Sequence, residues 1–480
     1  MNIEHVEKSY QELESDSTLQ NLIAQANARY ILYNTEESKE NFPRYTIKDE
    51  QLNILAFKYL NIGCNYFSEH NYLKASHSLE KGALILEYIH GSIHIQTKNK
   101  KLFCLISALS YYVCFQYSKA FILIGKLESD TMISSLVSLF LNRKFDQLLS
   151  EIDKLITNSS YGDEYLAEHF EEDNATKIYE IIIAKSLNYY VQFYQTGNKD
   201  FLEIAKKDLV NLQEVAAMRG EPDVWWVIRL LLLIIDGFKE SSLWYVLGNY
   251  FNTEDKLPLK YIQSLVYKNG SITELFLTQR NSLPKVLNNK QGSIVSIPTS
   301  SGKTRIGEIA ILNCLLNEPK AKILFIAPYR SLAYEIENSF DEIFSNLDVS
   351  VSHLYGGSLF SKLDERIIDE SSVIVATPEK AKALFRSNED ILSCIKLVII
   401  DEGHLLGTDK RLIVNEMFYE ELKYHVKANG GRFLLLSAVL PNAEDLSEWL
   451  TDSTDNVYKE NWRPSDERIG IMEWLSLIHI

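Results

Sequence analysis

The 480-residue sequence lacks the features that mark secreted, zinc-binding or membrane-spanning proteins. Its five cysteines are scattered, with no CxxC pair and no histidines at zinc-ligand spacing. Residues 1–5 have neither the basic start nor the apolar core of a signal peptide. The most apolar run, residues 225–235, contains Arg229 and is shorter than the ~20 residues that span a bilayer. We therefore expect a cytoplasmic protein with reduced thiols and no membrane contact.

Turn-forming residues and positive charge are also scarce. Only 10 prolines and 20 glycines are present, so long disordered or low-complexity tracts are not expected. The net charge of -16 argues against a protein that coats nucleic acid through a general basic surface. A phosphate backbone would have to bind in a local groove, through lysine, arginine and backbone N–H groups.

The chain from residue 1 to 268 has the pattern of an all-helical domain. Apolar residues recur at intervals of three and four, and turn signals are sparse. Gly63 with Ala75, and Ala108 with Ala120, have equal spacings that resemble part of the tetratricopeptide repeat. Antiparallel helix pairs of any kind need small residues where the helices cross, so generic helical packing is the favoured interpretation of this spacing.

A helix start is predicted at Gly220-Glu221-Pro222-Asp223, because proline is tolerated in a first turn and aspartate suits the positive end of the helix dipole. The Trp225-Trp226 pair follows in that helix. We interpret the pair as part of the hydrophobic core; a stacking platform for bases is the alternative.

After Lys268 the sequence changes to short, β-rich apolar runs that alternate with helical stretches. The runs are residues 293–297, 323–327, 373–376, 397–400 and 433–436. Each run is followed by a polar turn and then a helix. This alternation predicts an α/β domain over residues 269–460, in which a parallel sheet has helices on both faces and ligands bind at the carboxyl ends of the strands.

The first run leads into a loop typical of phosphate binding. Such a loop directs backbone N–H groups at phosphates, and the amino terminus of the next helix, expected near Arg305, adds its dipole. We expect Lys303 to reach the β- and γ-phosphates of ATP and Thr304 to hold Mg²⁺. Ile297 stands where the strict GxxxxGK[ST] motif has glycine, so the loop considered alone could also be a chance match. The predicted nucleotide-binding residues of the loop are Thr299, Ser300, Ser301, Gly302, Lys303 and Thr304.

Two acids follow the fourth apolar run, in Asp401-Glu402-Gly403-His404. Nucleotide hydrolysis needs one carboxylate near Mg²⁺, which would be Asp401, and one that orients the attacking water, which would be Glu402. We therefore predict that Lys303, Asp401 and Glu402 are catalytic. The alternative is that the two acids only make the end of the strand hydrophilic. The phosphate loop upstream favours the catalytic interpretation over this one.

The acidic segment resembles motif II of the superfamily 2 DExH-box helicases, and the resemblance extends from about residue 271 to residue 474. It implies a RecA-like, P-loop NTPase fold that uses ATP and Mg²⁺, with Gln279 as the adenine-reading residue. Residues 327–333, 356–357 and 377–380 resemble motifs that hold the sugar-phosphate backbone of one strand, although each alone could be a simple strand-to-helix turn. The implied nucleic-acid contacts are Arg330, Gly356, Gly357 and Thr377.

Ser437-Ala438-Val439 is similar to motif III of the Ski-like branch of that family, which includes RNA-surveillance and DNA-repair helicases. The resemblance implies that His404 links the nucleotide site to the segment at Ser437; a core histidine that only fills space is the alternative. Val439 stands where a threonine is usual. This departure puts in doubt the coupling of hydrolysis to strand movement, and not ATP binding.

Superfamily 2 enzymes bind ATP between two RecA-like domains, the second of which supplies arginine fingers. No QxxGRxGR-like segment is present, so we expect a fragment in which residues 461–480 are a linker and the start of the second domain. Residues 475–480 look like translated sequencing-adaptor sequence. The helical front and Trp462-Arg463-Pro464 resemble bacterial antiviral-defence helicases, including the Hachiman type.

The sequence thus predicts an ATP-dependent helicase or translocase that acts on single-stranded DNA or RNA. Its helical domain is expected to contact a protein partner or the substrate. An ATP-binding switch or scaffold without unwinding activity is the alternative, and so is a translocase that does not separate strands. DNA or RNA as the substrate, and the direction of movement, stay open, because the residues that contact a ribose 2′-OH cannot be located from side-chain identity.

Overall fold

A computed structural model describes residues 3–34, 48–92, 100–127, 131–158, 172–354, 362–387, 393–403, 410–438 and 440–463. The described residues that precede the sheet form helices and their connecting turns, as predicted. Among the described helices, none has both the length and the apolar character needed to cross a bilayer. The helices before the sheet are α1 (Ile3–Ser15), α2 (Ser17–Asn34), α3 (Asp49–Ser68), α4 (Tyr72–His90), α5 (Lys100–Val113), α6 (Tyr117–Gly125), α7 (Met132–Leu141), α8 (Phe145–Asn158), α9 (Glu172–Thr196), α10 (Asp200–Arg219), α11 (Pro222–Ser241), α12 (Leu243–Gly248), α13 (Lys256–Tyr267) and α14 (Leu277–Asn288).

Small residues lie where α3 and α4 pack against each other. A Cβ atom at Gly63 would lie 2.9 Å from the backbone nitrogen of Leu79, closer than side chains tolerate. Ala75, Ala108 and Ala120 are fully buried. The spacing found in the sequence therefore falls on buried helical positions, which agrees with generic helix packing; a tetratricopeptide relationship stays a hypothesis.

The predicted start of α11 is present. Gly220 ends α10 with a left-handed backbone (φ +71°), and Pro222 is the first residue of α11. Trp226 lies on this helix with its ring centroid 5.2 Å from that of Phe57, on the neighbouring α3. Both tryptophans of α11 are partly buried against the core, so they pack as core residues do.

The second half of the described chain forms one seven-stranded sheet. Its order is β3-β4-β2-β5-β6-β1-β7, and every strand pair is parallel. This confirms the predicted α/β fold; the predicted strands became β1, β2, β4, β5 and β6, and the two edge strands were not predicted. The strands are β1 (Gly292–Ser296), β2 (Lys322–Ile326), β3 (Val351–Leu354), β4 (Val373–Ala376), β5 (Ile395–Ile400), β6 (Arg432–Ser437) and β7 (Val457–Lys459). The helices between them are α15 (Lys303–Asn317), α16 (Arg330–Phe344), α17 (Lys362–Glu370), α18 (Pro378–Ser387), α19 (Lys410–Ala428) and α20 (Ala443–Thr451).

The sheet is buried on both faces. Alternate residues of the strands, such as Val295 and Phe325 against Ile294 and Leu324, belong to two different hydrophobic clusters. The cluster that contains Val295 and Phe325 continues into the core of the preceding helices. Since all strands run the same way, the loops that follow β1, β5 and β6 lie at one edge of the sheet, where open α/β folds bind ligands.

Candidate nucleotide site

The predicted phosphate loop connects β1 to α15, which begins at Lys303. Gly302 caps this helix with a left-handed backbone (φ +74°), and a Cβ atom there would collide with the side-chain nitrogen of Gln279. Ser301 is fully buried, and its hydroxyl has no hydrogen-bond partner among the described residues. The loop thus has the backbone shape of a phosphate cradle and keeps a buried polar group that a ligand can satisfy.

Gln279 is tied to this loop. Its Nε2 donates to the carbonyl oxygen of Gly302 at 3.0 Å, and its Oε1 accepts from the backbone N–H of Phe276 at 2.8 Å. The amide is therefore held in one orientation at the start of α14. The structure brings the predicted adenine-reading glutamine directly against the predicted phosphate loop.

The two predicted acids follow β5, and their turn faces the loop lysine. Lys303 Nζ lies 3.3 Å from Glu402 Oε1 and 3.4 Å from Oε2. Asp401 is fixed by its backbone N–H, which donates to Ile326 at 2.9 Å, and its Oδ1 accepts from the N–H of Glu402 at 2.9 Å. The loop lysine and the acids therefore meet at the carboxyl ends of the strands, although β6 lies between β1 and β5.

Asp401 is buried in an unfavourable setting for a carboxylate. Burial, followed by the nearby charge of Glu402, raises the pKa of Asp401 from 3.8 to about 6. The Lys303 ammonium acts in the opposite direction but does not cancel these effects. A divalent cation would favour the ionised form, so the donor set fits Mg²⁺.

The loop after β6 is joined to the phosphate loop. Ser296, the last residue of β1, donates its hydroxyl to Ala438 O at 3.1 Å and accepts from Leu440 N at 3.0 Å. The N–H of Ile297 donates to Ser437 O at 3.1 Å. Ser437, predicted to couple hydrolysis to movement, is thus buried beside the start of the phosphate loop.

The predicted nucleic-acid contacts lie at the same edge where they can be located. Arg330 is the first residue of α16 and is exposed. Thr377 is buried before α18, and its hydroxyl oxygen accepts from the N–H of Lys380 at 3.4 Å. The other predictions, on Gly356, Gly357, His404, Val439 and residues 464–480, fall outside the described residues.

A buried carboxylate that the sequence analysis missed lies just before Gln279. Glu274 Oε1 accepts hydrogen bonds from the hydroxyls of Tyr117 at 3.1 Å and Ser241 at 2.6 Å, while Oε2 accepts from Tyr112. Arg143 Nη2 lies 3.7 Å from Oε2. The segment leading to Gln279 is therefore fastened to α5, α6, α11 and the turn between α7 and α8. Glu274 is the only charged residue between Lys268 and Arg280, which was the available signal.

Next to Gln279 lies a cavity of about 300 Å³. Gln279, Gly302 and Thr304 line it from the α/β side, and Arg143 lines it from the helical side. Small-molecule sites typically measure roughly 300–1,000 Å³. The cavity is thus large enough for a small ligand that also touches the phosphate loop.

The family model of the DEAD/DEAH box helicases matches residues 277–446 of the chain. That range includes Gln279, the phosphate loop, both acids and Ser437. This part of the chain is a DEAD/DEAH box helicase domain.

Individual relatives extend the similarity beyond the helicase domain. The chain is 41% identical over 472 residues to the Hachiman protein HamB of Bacillus cereus, which covers 98% of this chain and 41% of HamB. It is 33% identical over 217 residues to the ATP-dependent DNA helicase Hel308 of Thermococcus kodakarensis, which covers 45% of this chain and 18% of the relative. The chain therefore spans less than half the length of these two relatives.

Among solved structures, this chain is similar to the DUF1998 helicase MrfA, which was crystallised bound to DNA. It has a TM-score of 0.36 and 19% sequence identity, and the match covers 42% of this chain and 29% of MrfA. A hypothetical ATP-dependent RNA helicase from Sulfolobus tokodaii has a TM-score of 0.31 and 26% identity, over 41% of this chain and 54% of that protein.

Proposed function

We propose that the helicase domain binds ATP with Mg²⁺ and that the complete protein hydrolyses ATP to move along a nucleic-acid strand. The observation that carries this proposal is the 3.3 Å approach of Lys303 to Glu402, with the phosphate loop and the acids at one edge of the sheet. Lys303, Asp401 and Glu402 are three charged side chains that meet at the carboxyl ends of parallel strands. Together they supply the charges that a nucleoside triphosphate and its metal need.

Each residue of the site has a distinct task in this proposal. The N–H groups of the phosphate loop bind the phosphate oxygens, and Lys303 leaves Glu402 to pair with the terminal phosphates. Thr304 and Asp401 would hold Mg²⁺, and the ion would supply positive charge beside the phosphates. Glu402, released from Lys303, orients the attacking water and takes its proton.

The nucleic-acid strand would lie across the same edge of the sheet. We propose that Arg330, Gly356, Gly357 and Thr377 hold its sugar-phosphate backbone, and that His404 and Ser437 couple hydrolysis to movement. These contacts position a strand without reading its sequence. The similarity to Hel308, a DNA helicase by name, makes single-stranded DNA the first substrate to test.

We further propose a role in antiviral defence and three functional parts. The support for the first is the similarity to Hachiman HamB across nearly the whole chain. The parts are a helical domain (1–268) that contacts a protein partner, the helicase domain (269–460), and a linker with the start of a second RecA-like domain (461–480), whose last residues, 475–480, resemble adaptor sequence. A phage-infection assay with the complete protein would test the role: unchanged plaque numbers with and without the protein would contradict it.

Binding of a fluorescent ATP analogue to this chain tests the nucleotide site. We expect Lys303→Ala to weaken binding by about 100-fold or more, because a charge-assisted contact to phosphate is lost. Lys396→Ala is the matched control, since Lys396 also faces a glutamate, Glu318 at 3.6 Å. It lies near the start of β5, at the end of the strand opposite to Asp401 and Glu402. Equal affinity of wild type and Lys303→Ala would contradict the proposal.

Hydrolysis is tested in the full-length protein, with and without single-stranded DNA and RNA. We expect Glu402→Gln to bind ATP normally and to lose turnover, so that ATP stays bound. Normal turnover would remove Glu402 from the mechanism. ATP binding without hydrolysis on any nucleic acid would instead identify a switch or scaffold, and hydrolysis without strand displacement would identify a translocase.

A further inference from the structure

We propose that the helical part of the chain completes the nucleotide pocket, with Arg143 as a residue that contacts the nucleoside and sets base preference. This inference rests on the proposed function, because it assigns the nucleoside half of the same ATP molecule. It adds a residue from outside residues 277–446, the range of the helicase family match.

The cavity beside Gln279 adjoins the phosphate loop, and its position is the first argument for this contact. Gly302 and Thr304 line the 300 Å³ cavity and also belong to the loop that would hold the phosphates. A nucleoside attached to those phosphates must lie within a few ångströms of the loop. Gln279, which is hydrogen-bonded to Gly302, lines the cavity as well. The cavity is therefore where the base and ribose fit, and Arg143 forms part of its wall.

Arg143 is held firmly at this wall. Its Nη1 donates to Ser271 O at 3.2 Å, Nη2 faces Glu274 at 3.7 Å, and its guanidinium packs against the rings of Tyr117 at 5.5 Å and Phe121 at 5.6 Å. Its backbone has φ +56°, the left-handed conformation that ends α7, where Arg143 N–H donates to Phe140 O at 2.9 Å and Lys144 N–H to Leu139 O at 3.0 Å. The side chain therefore starts from a fixed backbone position.

The chemistry of this wall suits a base better than a phosphate. Glu274 offsets the charge of Arg143, and the rings of Tyr117 and Phe121 pack on the guanidinium, so Arg143 offers a ligand mainly planar N–H donors. Its Nε has no hydrogen-bond partner within the described residues. Glu308, buried in the same cavity, likewise has one carboxylate oxygen without a partner. An adenine ring offers acceptor nitrogens and an amino donor to such a pair, whereas guanine would place its carbonyl oxygen where the amino group is needed.

The test compares Arg143→Ala with Arg29→Ala in binding of fluorescent ATP and GTP analogues to this chain. Arg29 is a close match, because its side chain is 10% exposed and ion-paired to Asp49, against 12% exposure and a Glu274 pair for Arg143. We expect Arg143→Ala to weaken ATP-analogue binding by about 10-fold and to reduce the preference over GTP, while Arg29→Ala changes affinity less than about twofold. An unchanged affinity and base preference in Arg143→Ala would overturn the inference.

Inorganic tripolyphosphate separates a nucleoside contact from a general structural effect. It occupies only the phosphate loop, so Arg143→Ala should leave its affinity unchanged; an equal loss for both ligands would overturn the proposed contact. If Arg143→Ala does not fold, Arg143→Lys keeps the charge beside Glu274 and removes the planar fork. The lysine variant should still lose part of the base preference, and wild-type preference in it would overturn the inference. Failure of wild type to bind either ligand would instead refute the proposed function.

Discussion

Two carboxylates that face cations show how differently two regions are built. One is the junction of the helical part with the α/β part, at Arg143 and Glu274, and the other is the candidate nucleotide site, at Lys303 and Glu402. Glu274 is 2% exposed, and hydroxyls from three helices and the Arg143 guanidinium surround it. Glu402 is 24% exposed and faces Lys303 at 3.3 Å from a strained left-handed backbone (φ +51°). The protein itself completes the polar partners of Glu274. The pair of Glu402 with Lys303 is instead partly exposed and lies at the carboxyl ends of the strands.

The comparison is tested most strongly by removing the junction carboxylate. Glu274→Ala leaves Arg143 buried without its ion pair and deprives the surrounding hydroxyls of their acceptor. We expect a loss of about 3–5 kcal/mol in the free energy of unfolding. Urea unfolding followed by circular dichroism measures it. A loss below about 1 kcal/mol would mean that the junction network does not hold the fold together.

Asp401→Asn should act in the opposite direction, because the structure holds this carboxyl against its preferred ionisation. The folded pKa of about 6 lies above the unfolded value of 3.8, so ionised Asp401 destabilises the fold above pH 6, and the penalty disappears as pH falls towards 3.8. At about 1.4 kcal/mol per pKa unit, Asp401→Asn should raise the free energy of unfolding by on the order of 3 kcal/mol at pH 8.

Urea unfolding of both proteins at pH 8 and pH 4.5 measures the effect of Asp401→Asn. The gain should shrink at the lower pH, since wild-type Asp401 is then mostly protonated in the folded state. An Asn variant that is less stable at pH 8, or a gain that does not change with pH, would contradict the assigned pKa shift.

Magnesium dependence should follow the same carboxyl. A protonated Asp401 cannot bind a metal ion, so magnesium-dependent binding of the ATP analogue should weaken as pH falls through about 6. At pH 5 we expect about 10-fold weaker binding than at pH 7.5, which corresponds to about 1.4 kcal/mol. Titrations with EDTA present give the magnesium-free control. The same pH step in both series would exclude Asp401 as its source.

The smallest effect on stability is expected for Glu402→Gln. Its pair with Lys303 is partly exposed, and such pairs contribute about 0.2–1 kcal/mol. The free energy of unfolding should therefore change by less than about 1 kcal/mol, although turnover is lost. Glu274→Gln, measured beside it, makes the same chemical change at the junction and should cost more. Similar losses in the two variants would erase the contrast between the regions.

The fold was predictable where a strand is central and apolar. The runs that became β2, β4, β5 and β6 each contain four consecutive apolar residues, which are buried. Strand β1 has serines at both 293 and 296, and its run was recognised from Ile294, Val295 and Ile297. Strand β3 contains Ser352 and His353, and β7 has only three residues, so neither gives such a run. Both lie at the edges of the sheet, where an interior pattern is not required. The boundary at residue 268 stays a prediction.

The meeting of Lys303 with Glu402 was predictable, because both residues lie in short segments that follow strands. Lys303 and Glu402 are each recognised from a few neighbours, and the parallel sheet brings them together. The junction was not predictable, because Arg143 and Glu274 meet only through the packing of helices distant in sequence. The hydroxyl of Thr377 was expected to face a nucleic-acid backbone, and only the coordinates show that it already accepts from Lys380.

Ser296 links the end of β1 to the segment that follows β6. Its hydroxyl donates to Ala438 O and accepts from Leu440 N, so one side chain binds the backbone at two points after β6. Ser296 is also the last residue of β1, after which the chain continues through the phosphate loop to Lys303. A shift of the phosphate loop would therefore reach the segment after β6 through the Ser296 hydroxyl and through the backbone hydrogen bond from Ile297 to Ser437.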